Sequence, residues 1–551
     1  MTSTRCKVLL VCARFQGQSF WNFTAACEAL GAKFPAPPLG LITVAALLPA
    51  SWECRLVNRN AEALTDADLD WADMVMTGGM IPQRPDVQAV IRQAHARGKP
   101  VVVGGPDATS LPEAYAEADF RVLGEAEGII DEFITAWDAG ARSGTFRAEK
   151  FAIDVTKTPI PRYDLLKQGH YLYYGVQFAR GCPFTCEFCD IIELYGRTPR
   201  VKGVEQILAE IEAVYNLGYR GHLDFVDDNF IGNKKAVKNL LPHLIAWQEA
   251  RGYPFDFSTE ASINLADDDQ MLALMRAANF FTVFVGIESP DPETLRATQK
   301  KQNTRRVLAD SVHKIFRAGM MVHAGFIVGF DTERQSVADA MIDLIETAAI
   351  PACMVGLLYA LPNTQLSRRL EREGRLLPDD IVEQLAEMGG GDHCATGLNF
   401  QTARPRREIL SDLKRILEQV YDRDIYFARL QRMARLLDRA KLSRRNSADP
   451  LLRTIGMSRR EMRMACQILW RMVRHDRFLI RPFLAALFEL LRSNPGSLYC
   501  LFTMTLFYCH LGPFAQHVAK ILERRLEMLP LDGQGIEGLL ESSAGALAAA
   551  E

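Results

Sequence analysis

The chain is 551 residues long, 48% hydrophobic and 24% charged, with a formal net charge of −3. Such a length exceeds one ordinary domain and predicts three or four, and the balance is that of a globular protein able to bury large cores, which excludes an unstructured chain and gives no reason to expect DNA as a partner. Near the start, Lys7 is followed only by the short strand-like VLLVCA and not by the long apolar run of a secretory signal, so the expected location is the cytoplasm.

Residues 1–150 alternate short apolar runs with helical segments: KVLLVCA, a helix after Pro38, CRLVN, ADMVMTG, a helix from Pro85 to Arg97, PVVVGG and FRVLG. This pattern predicts a doubly wound, Rossmann-like parallel sheet, which binds ligands at the carboxyl ends of its strands. Glycines fall at those ends: Gly78-Gly79, then Gly104-Gly105-Pro106, then Gly124-Glu125, where a missing Cβ allows close approach of a bulky ligand. Any αβ turn also favours glycine, so the feature alone is weak. Residues 151–175, with Pro159, Pro161 and Gly169, read as a linker.

The strand-like run Tyr174–Ala179 leads into Arg180-Gly181-Cys182-Pro183-Phe184-Thr185-Cys186-Glu187-Phe188-Cys189, a CxxxCxxC loop. Three closely spaced thiolates can ligate three irons of a cubane [4Fe–4S] cluster, and no fourth cysteine lies nearby, which leaves one iron open. A zinc site completed by a distant ligand and chance clustering are the plainer alternatives. Five further βα repeats follow up to residue 375, predicting a partial (βα)6 barrel. Its strand ends carry Asp227-Asp228-Asn229, Thr259-Glu260, Glu288-Ser289 and Asp331, polar groups that a core does not require. As donors and acceptors they suit ribose, ammonium and carboxylate groups; capping the next helix is the competing explanation for each.

The loop, with aromatic Phe188 just before the last cysteine, resembles that of the radical S-adenosylmethionine (SAM) enzymes. The resemblance implies a cluster on Cys182, Cys186 and Cys189, whose open iron chelates SAM and whose electron cleaves it to a 5′-deoxyadenosyl radical. It further implies SAM contacts from Phe188, Asp227, Asp228, Asn229, Thr259, Glu260, Glu288 and Ser289, and from the GFIVGF strand through Gly325, Ile327 and Gly329. The first 150 residues, with Phe20-Trp21, Pro37-Pro38-Leu39-Gly40-Leu41, the GGP turn and Gly124-Glu125-Ala126-Glu127, resemble the cobalamin-binding domain of cobalamin-dependent radical SAM enzymes. Cobalamin is thereby expected at Gly78, Gly79, Gly104, Gly105, Pro106, Gly124 and Glu125. The chain departs from the DxHxxG pattern of many cobalamin proteins: its nearest fragment, around His95, lacks the Asp and falls on a helix, so cobalt is expected without a His ligand.

Residues 376–551 lack βα alternation and predict an α-helical domain, with a Gly389-Gly390-Gly391 break and a low-complexity tail. Between Arg404 and Arg481 there are 21 Lys/Arg against 9 Asp/Glu. Basic helices with interleaved apolar residues suit peripheral contact with an anionic membrane on the inner face; RNA and a merely solvated face compete. Leu498–Cys509 is apolar over 12 residues, short of the ~20 a membrane span needs, and reads as a buried or interfacial helix.

The whole pattern resembles the cobalamin-binding radical SAM family that includes the hopanoid C-2 methylases. This implies methylation of an unactivated carbon of an apolar or lipid substrate, using a [4Fe–4S] cluster, SAM and cobalamin, with electrons from a flavodoxin or ferredoxin. A methylthiotransferase acting on tRNA and a cobalamin-dependent cyclase acting on a porphyrin are the alternatives. The former usually brings three further cluster cysteines, which the scattered Cys6, Cys12, Cys27 and Cys54 do not supply.

Overall fold

The computed structural model describes residues 5–15, 17–378, 382, 396–438 and 459–528. The predicted triple-glycine break, Cys394 and the low-complexity tail lie outside the described residues.

Val, Leu and Met dominate the first strands, and a strand apolar on both faces belongs in the middle of a covered parallel sheet. Strands β1 (Lys7–Cys12), β2 (Glu53–Asn58), β3 (Met74–Gly78), β4 (Val101–Gly104), β5 (Phe120–Leu123) and β6 (Gly144–Arg147) form one sheet in the order β2-β1-β3-β4-β5-β6, every pair parallel. The order reverses between β1 and β3, and the crevice outside their carboxyl ends is where such sheets bind ligands. Strand β6 has no signature in the sequence: it is a four-residue edge strand without an apolar run.

The second sheet is the partial barrel. Strands β7 (Tyr174–Val176), β10 (Gly221–Phe225), β11 (Phe255–Glu260), β12 (Phe280–Glu288), β13 (Met321–Val328) and β14 (Ala352–Leu357) lie in sequential order, all parallel, with helices in between. Two short antiparallel strands, β8 (Ala179–Arg180) and β9 (Arg200–Val201), bracket the cysteine loop. The expected linker consists of turns, and a bridge between Phe34 and Tyr171 fastens it to the first domain.

The C-terminal part is helical, with helices at Arg406–Val420, Arg423–Leu436, Arg459–Arg474, Ile480–Ser493 and Leu498–Met528. The last is 31 residues long, so the apolar run at Leu498–Cys509 is only its first part. It is long and apolar enough to cross a membrane, yet 78% of the relevant window is buried inside the protein, which marks a core helix. The apolar run ends at Cys509 because polar residues follow, but the helix continues amphipathically: Gln516, His517 and Lys520 are exposed, while Leu511, Phe514, Val518 and Leu522 are buried.

Candidate functional site

The cysteine loop is shaped by backbone constraints. Gly181 has φ 94°, and a Cβ there would stand 2.8 Å from the Gly196 carbonyl oxygen, so only glycine fits. Its N–H donates to Asp228 Oδ2 at 2.7 Å, the Cys182 N–H to the Gly196 carbonyl at 3.2 Å, and the Cys189 N–H to the Cys186 carbonyl at 3.2 Å. All three loop thiols are free, and burial pushes each of them up, so ligation must displace their protons, as iron does. Among the described residues no three His, Cys, Asp or Glu side chains converge on one ion position, as a mononuclear zinc site requires. Three thiols on one tight loop suit a cluster, whose corners take one thiolate each.

The strand ends divide into two groups. Asp227 is buried and both its oxygens accept backbone amides, from Phe178 at 3.2 Å and from Ala179, so it holds the strand entering the loop. Thr259 is also buried, its hydroxyl donating to the Phe225 carbonyl at 3.0 Å. Ser289 is fully buried and accepts from the Asp291 amide at 3.2 Å. Gly329, with φ 109°, faces Leu398, whose Cδ2 would lie 2.7 Å from a Cβ, so this glycine makes room for the C-terminal region. Asp331 is held by Arg369 at 2.9 Å and Arg375 at 2.6 Å.

The other group faces the loop. Asp228 keeps one oxygen beyond its bond to Gly181, and burial pushes it up to about 6. Asn229 lies with Nδ2 3.8 Å from Cys182 Sγ and 3.2 Å from Ser262 Oγ. Glu260 opens into the space above the strands; removal from bulk water, and then the neighbouring carboxylates of Asp224 and Asp228, push it upward. Phe188 lies against Phe330, ring centroids 5.8 Å apart. Gly325 gives space to the Phe284 ring, 3.2 Å from where a Cβ would be, and Ile327 is half-buried on the same strand.

Glu288 is the point of strain. It adopts φ 68°, in the left-handed region, where β12 shifts register against β13. Its carboxylate accepts from Lys300 Nζ at 2.7 Å, and Gly286 leaves room for the pair: a Cβ there would be 2.8 Å from that nitrogen. Lys300 is absent from the sequence expectations, as is Gln302, whose Nε2 lies 3.8 Å from Cys186 Sγ. Burial alone would lower the Lys300 pKa, but Glu288, joined by the Cys186 sulfur once it is a thiolate, outweighs it and holds the ammonium charged. Both residues sit on the turn after a helix more than a hundred positions beyond the cysteines, with no spacing signal to link them.

Inside the barrel, a polar chain crosses the strands: Asp256 to His222 Nδ1 at 2.5 Å, His222 Nε2 to Ser258 Oγ at 2.8 Å, then Ser258 to Asp224. His323 on β13 is set beside it, with buried Nε2 unpartnered and burial pushing it down to about 4. Aromatic rings close the wall: Trp21 against Phe284 at 5.9 Å, and Phe507 of the terminal helix against both His323 at 5.2 Å and Phe23 at 4.9 Å.

The crevice of the first sheet faces this mouth. Asn363, after β14, donates to the Ser110 carbonyl at 2.8 Å, and Arg84 pairs with Asp107 at 2.7 Å on the same rim. Gly78, Gly79, Gly104 and Gly105 line the strand ends with Pro106 opening a short helix; much of their need for glycine is internal, since a Cβ on Gly78 would stand 2.3 Å from the Gly104 oxygen. Met80, next to them, is 50% exposed and leaves an apolar rim open at the reversal of strand order. Gly124 takes φ 90°. Glu125 turns away from the crevice to Arg180 at 3.1 Å and Arg200 at 2.8 Å, so it joins the two domains. His95 pairs with Asp119 at 2.8 Å, where Asp119 also accepts the Val101 amide, so it sits at the amino-terminal ends of β4 and β5, away from the carboxyl ends that form the crevice.

Three family models match: the B12 binding domain over residues 29–134, the radical SAM superfamily over 176–345, and a domain of unknown function (DUF4070) over 364–524. A Synechocystis protein described as an uncharacterized methyltransferase is 48% identical over 75% of this chain and 75% of its own. The hopanoid C-2 methylase of Rhodopseudomonas palustris is 36% identical over 83% of this chain and 84% of its own. Among solved structures, the cobalamin-dependent radical enzyme OxsB has a similar fold, with TM-score 0.57 at 14% identity over 97% of this chain and 83% of its own. The radical SAM methyltransferase TsrM of Kitasatospora setae has TM-score 0.53 at 18% identity, over 70% and 79%. The chain belongs to the cobalamin-dependent radical SAM methyltransferases, a family that works with a [4Fe–4S] cluster, SAM and cobalamin.

Proposed function

We propose that this chain methylates an unactivated carbon of an apolar fused-ring substrate, and specifically C-2 of a hopanoid. The observation that carries the reading is likeness to the hopanoid C-2 methylase across both cofactor domains and into the helical region. The aromatic wall of Trp21, Phe23, Phe284 and Phe507 suits a substrate recognised by shape and apolar contact.

In this reading Cys182, Cys186 and Cys189 hold the cluster. Asp228, Asn229, Glu260, Glu288 and Lys300 present the charges and hydrogen-bonding groups for SAM, with Phe188, Gly325 and Ile327 beside them. Asp227, Thr259, Ser289 and Gly329 shape the strand ends from behind. The β1/β3 crevice, with Gly78, Gly79, Gly104, Gly105, Pro106 and Gly124, takes cobalamin, and Glu125 fixes that domain against the barrel. When bound, the cofactors supply a 5′-deoxyadenosyl radical and a transferable methyl group. The protein's own part is to hold the substrate carbon between the two facing rims and keep water from it. An external one-electron donor of the flavodoxin or ferredoxin kind serves the cluster.

A second reading, C-methylation of a tetrapyrrole, has one feature in its favour: the polar chain with the unpartnered His323 offers bonds to an oxygen-bearing substrate, which ring A of a hopanoid lacks. Lipid mass spectrometry of a hopanoid-making host with and without this chain, beside a Cys186→Ala control, separates the two. A hopanoid heavier by one methyl group, absent from the control, is the expected result. Unchanged hopanoids in a host that supplies cobalamin and loads the cluster would overturn the substrate assignment.

A further inference from the structure

Seven of the thirteen large apolar side chains that stand exposed among the described residues fall within residues 469–491, so their placement is a local feature and not scatter. Helix Arg459–Arg474 buries Ala465, Ile468 and Met472 against the protein and turns Leu469, Trp470 and Val473 outward. Helix Ile480–Ser493 buries Phe483, Ala486 and Leu490 and turns Leu484, Phe488 and Leu491 outward. Phe478, in the turn between them, is exposed as well. Packing onto a core needs one apolar stripe per helix; each of these has two. Trp470 is 60% exposed and Phe488 61%.

Among the described side chains, the unpaired charges on these outer faces have one sign. Arg463, Arg474, Arg477, Arg481 and Arg492 are exposed, whereas Asp476 is paired with Arg471 at 3.2 Å and Glu489 with Arg435. The Arg474 guanidinium lies 5.1 Å from the Trp470 ring centroid, so cation and indole sit at one level, as they do at a membrane interface. We propose that the helix pair Arg459–Ser493 docks the enzyme on an anionic lipid surface, with the apolar side chains entering the acyl boundary and the arginines meeting headgroup phosphates. A second copy of the chain would set the arginine rim against itself, since Asp476 and Glu489 are already paired. RNA would find rings to stack on in Trp470, Phe478 and Phe488, but the other four of the seven exposed apolar side chains, Leu469, Val473, Leu484 and Leu491, are aliphatic and offer neither stacking nor hydrogen bonds.

The docking helices lead to the barrel. Arg471 pairs with Glu28 at 2.9 Å, His510 of the terminal helix bonds the Ser19 carbonyl at 2.8 Å, and Phe514 packs edge-on to Phe20 at 4.7 Å. The segment so held carries Trp21, 48% exposed and in contact with Phe284 of β12. An apolar molecule leaving the bilayer at this face thus meets an aromatic route toward the barrel. That purpose rests on the substrate reading above, while the docking itself does not.

The test is flotation of the cluster- and cobalamin-loaded enzyme with vesicles of phosphatidylcholine alone and of phosphatidylcholine with phosphatidylglycerol in equal parts. Binding to the anionic vesicles is expected to be ~10–100-fold tighter, and to weaken severalfold as salt is raised. Trp470→Asp with Phe488→Asp should abolish flotation while SAM cleavage in solution stays unchanged, and Arg474→Gln with Arg477→Gln and Arg481→Gln should remove the preference for anionic lipid. No flotation on either vesicle, flotation unaffected by the double variant, a dimer that the double variant turns to monomer, or RNA competing for the same face would each overturn the proposal. Failure here with methylated hopanoid still formed would leave the proposed reaction standing.

Discussion

At the buried pair of Glu288 and Lys300, a strained backbone, a glycine that makes room and a charged side chain beside the Cys186 thiol coincide. Lys300→Met removes the positive charge next to Cys186 and leaves the carboxylate unpaired in the interior, a loss of about 3–5 kcal/mol in stability. The cluster's net surroundings become more negative, so its reduction potential should fall, read by redox titration of the cluster's electron paramagnetic resonance signal. An unchanged potential would separate Lys300 from the cluster. His323 gives a pH prediction. Burial holds it near 4 against an ordinary 6.5, so below pH 6.5 the unfolded chain binds a proton that the folded chain does not. Stability from this residue is complete above pH 6.5 and is lost as pH falls toward 4, by about 3 kcal/mol. His323→Phe should flatten that acid limb in thermal unfolding followed between pH 7 and pH 4.5; a limb identical to wild type would mean that His323 titrates normally.

At the level of elements, the strand ends were legible because chemistry and geometry coincide there: apolar runs ending in Gly-Gly or Asp-Asp-Asn mark both the end of a strand and the rim of a site. The division of labour among those end residues was not legible. Asp227 and Asp228 are adjacent in sequence, yet one accepts the Phe178 and Ala179 amides of the entering strand while the other accepts the Gly181 amide of the loop, a difference set by tertiary placement alone. Edge strand β6 and the length of the terminal helix escaped for a related reason: one lacks a period, and the other mixes polar residues into a helix whose burial comes from neighbours on several sides. Glycines at strand ends read as ligand cradles, but Gly78 is also required by the sheet. Gly78→Ala would push a methyl to 2.3 Å from the Gly104 oxygen and should cost about 2 kcal/mol or more, whereas Gly40→Ala, with nothing within 4 Å, should be neutral or slightly stabilising. Thermal unfolding of both variants decides this; equal melting temperatures would contradict the close approach.

Across the whole molecule, the proposed reaction requires two rims held face to face. The network that holds them is buried: Arg180 reaches Glu125 and Glu127, and Arg200 reaches Glu125. Arg180→Gln leaves Glu127 without its cation and Glu125 with Arg200 alone, and should loosen the first domain from the barrel. Methyl transfer should then fall by an order of magnitude or more while SAM cleavage in the barrel persists, so the ratio of 5′-deoxyadenosine to methylated product rises; a parallel fall of both would place the damage in the barrel itself. The central claim, that a radical formed at the cysteine loop acts on a substrate carbon which then receives its methyl group from the facing domain, has a direct measurement. The reconstituted enzyme, supplied with a reductant and a hopanoid deuterated at C-2, should transfer deuterium into 5′-deoxyadenosine, one labelled molecule for each methylated hopanoid formed. Methylated product with no deuterium in 5′-deoxyadenosine would contradict the account.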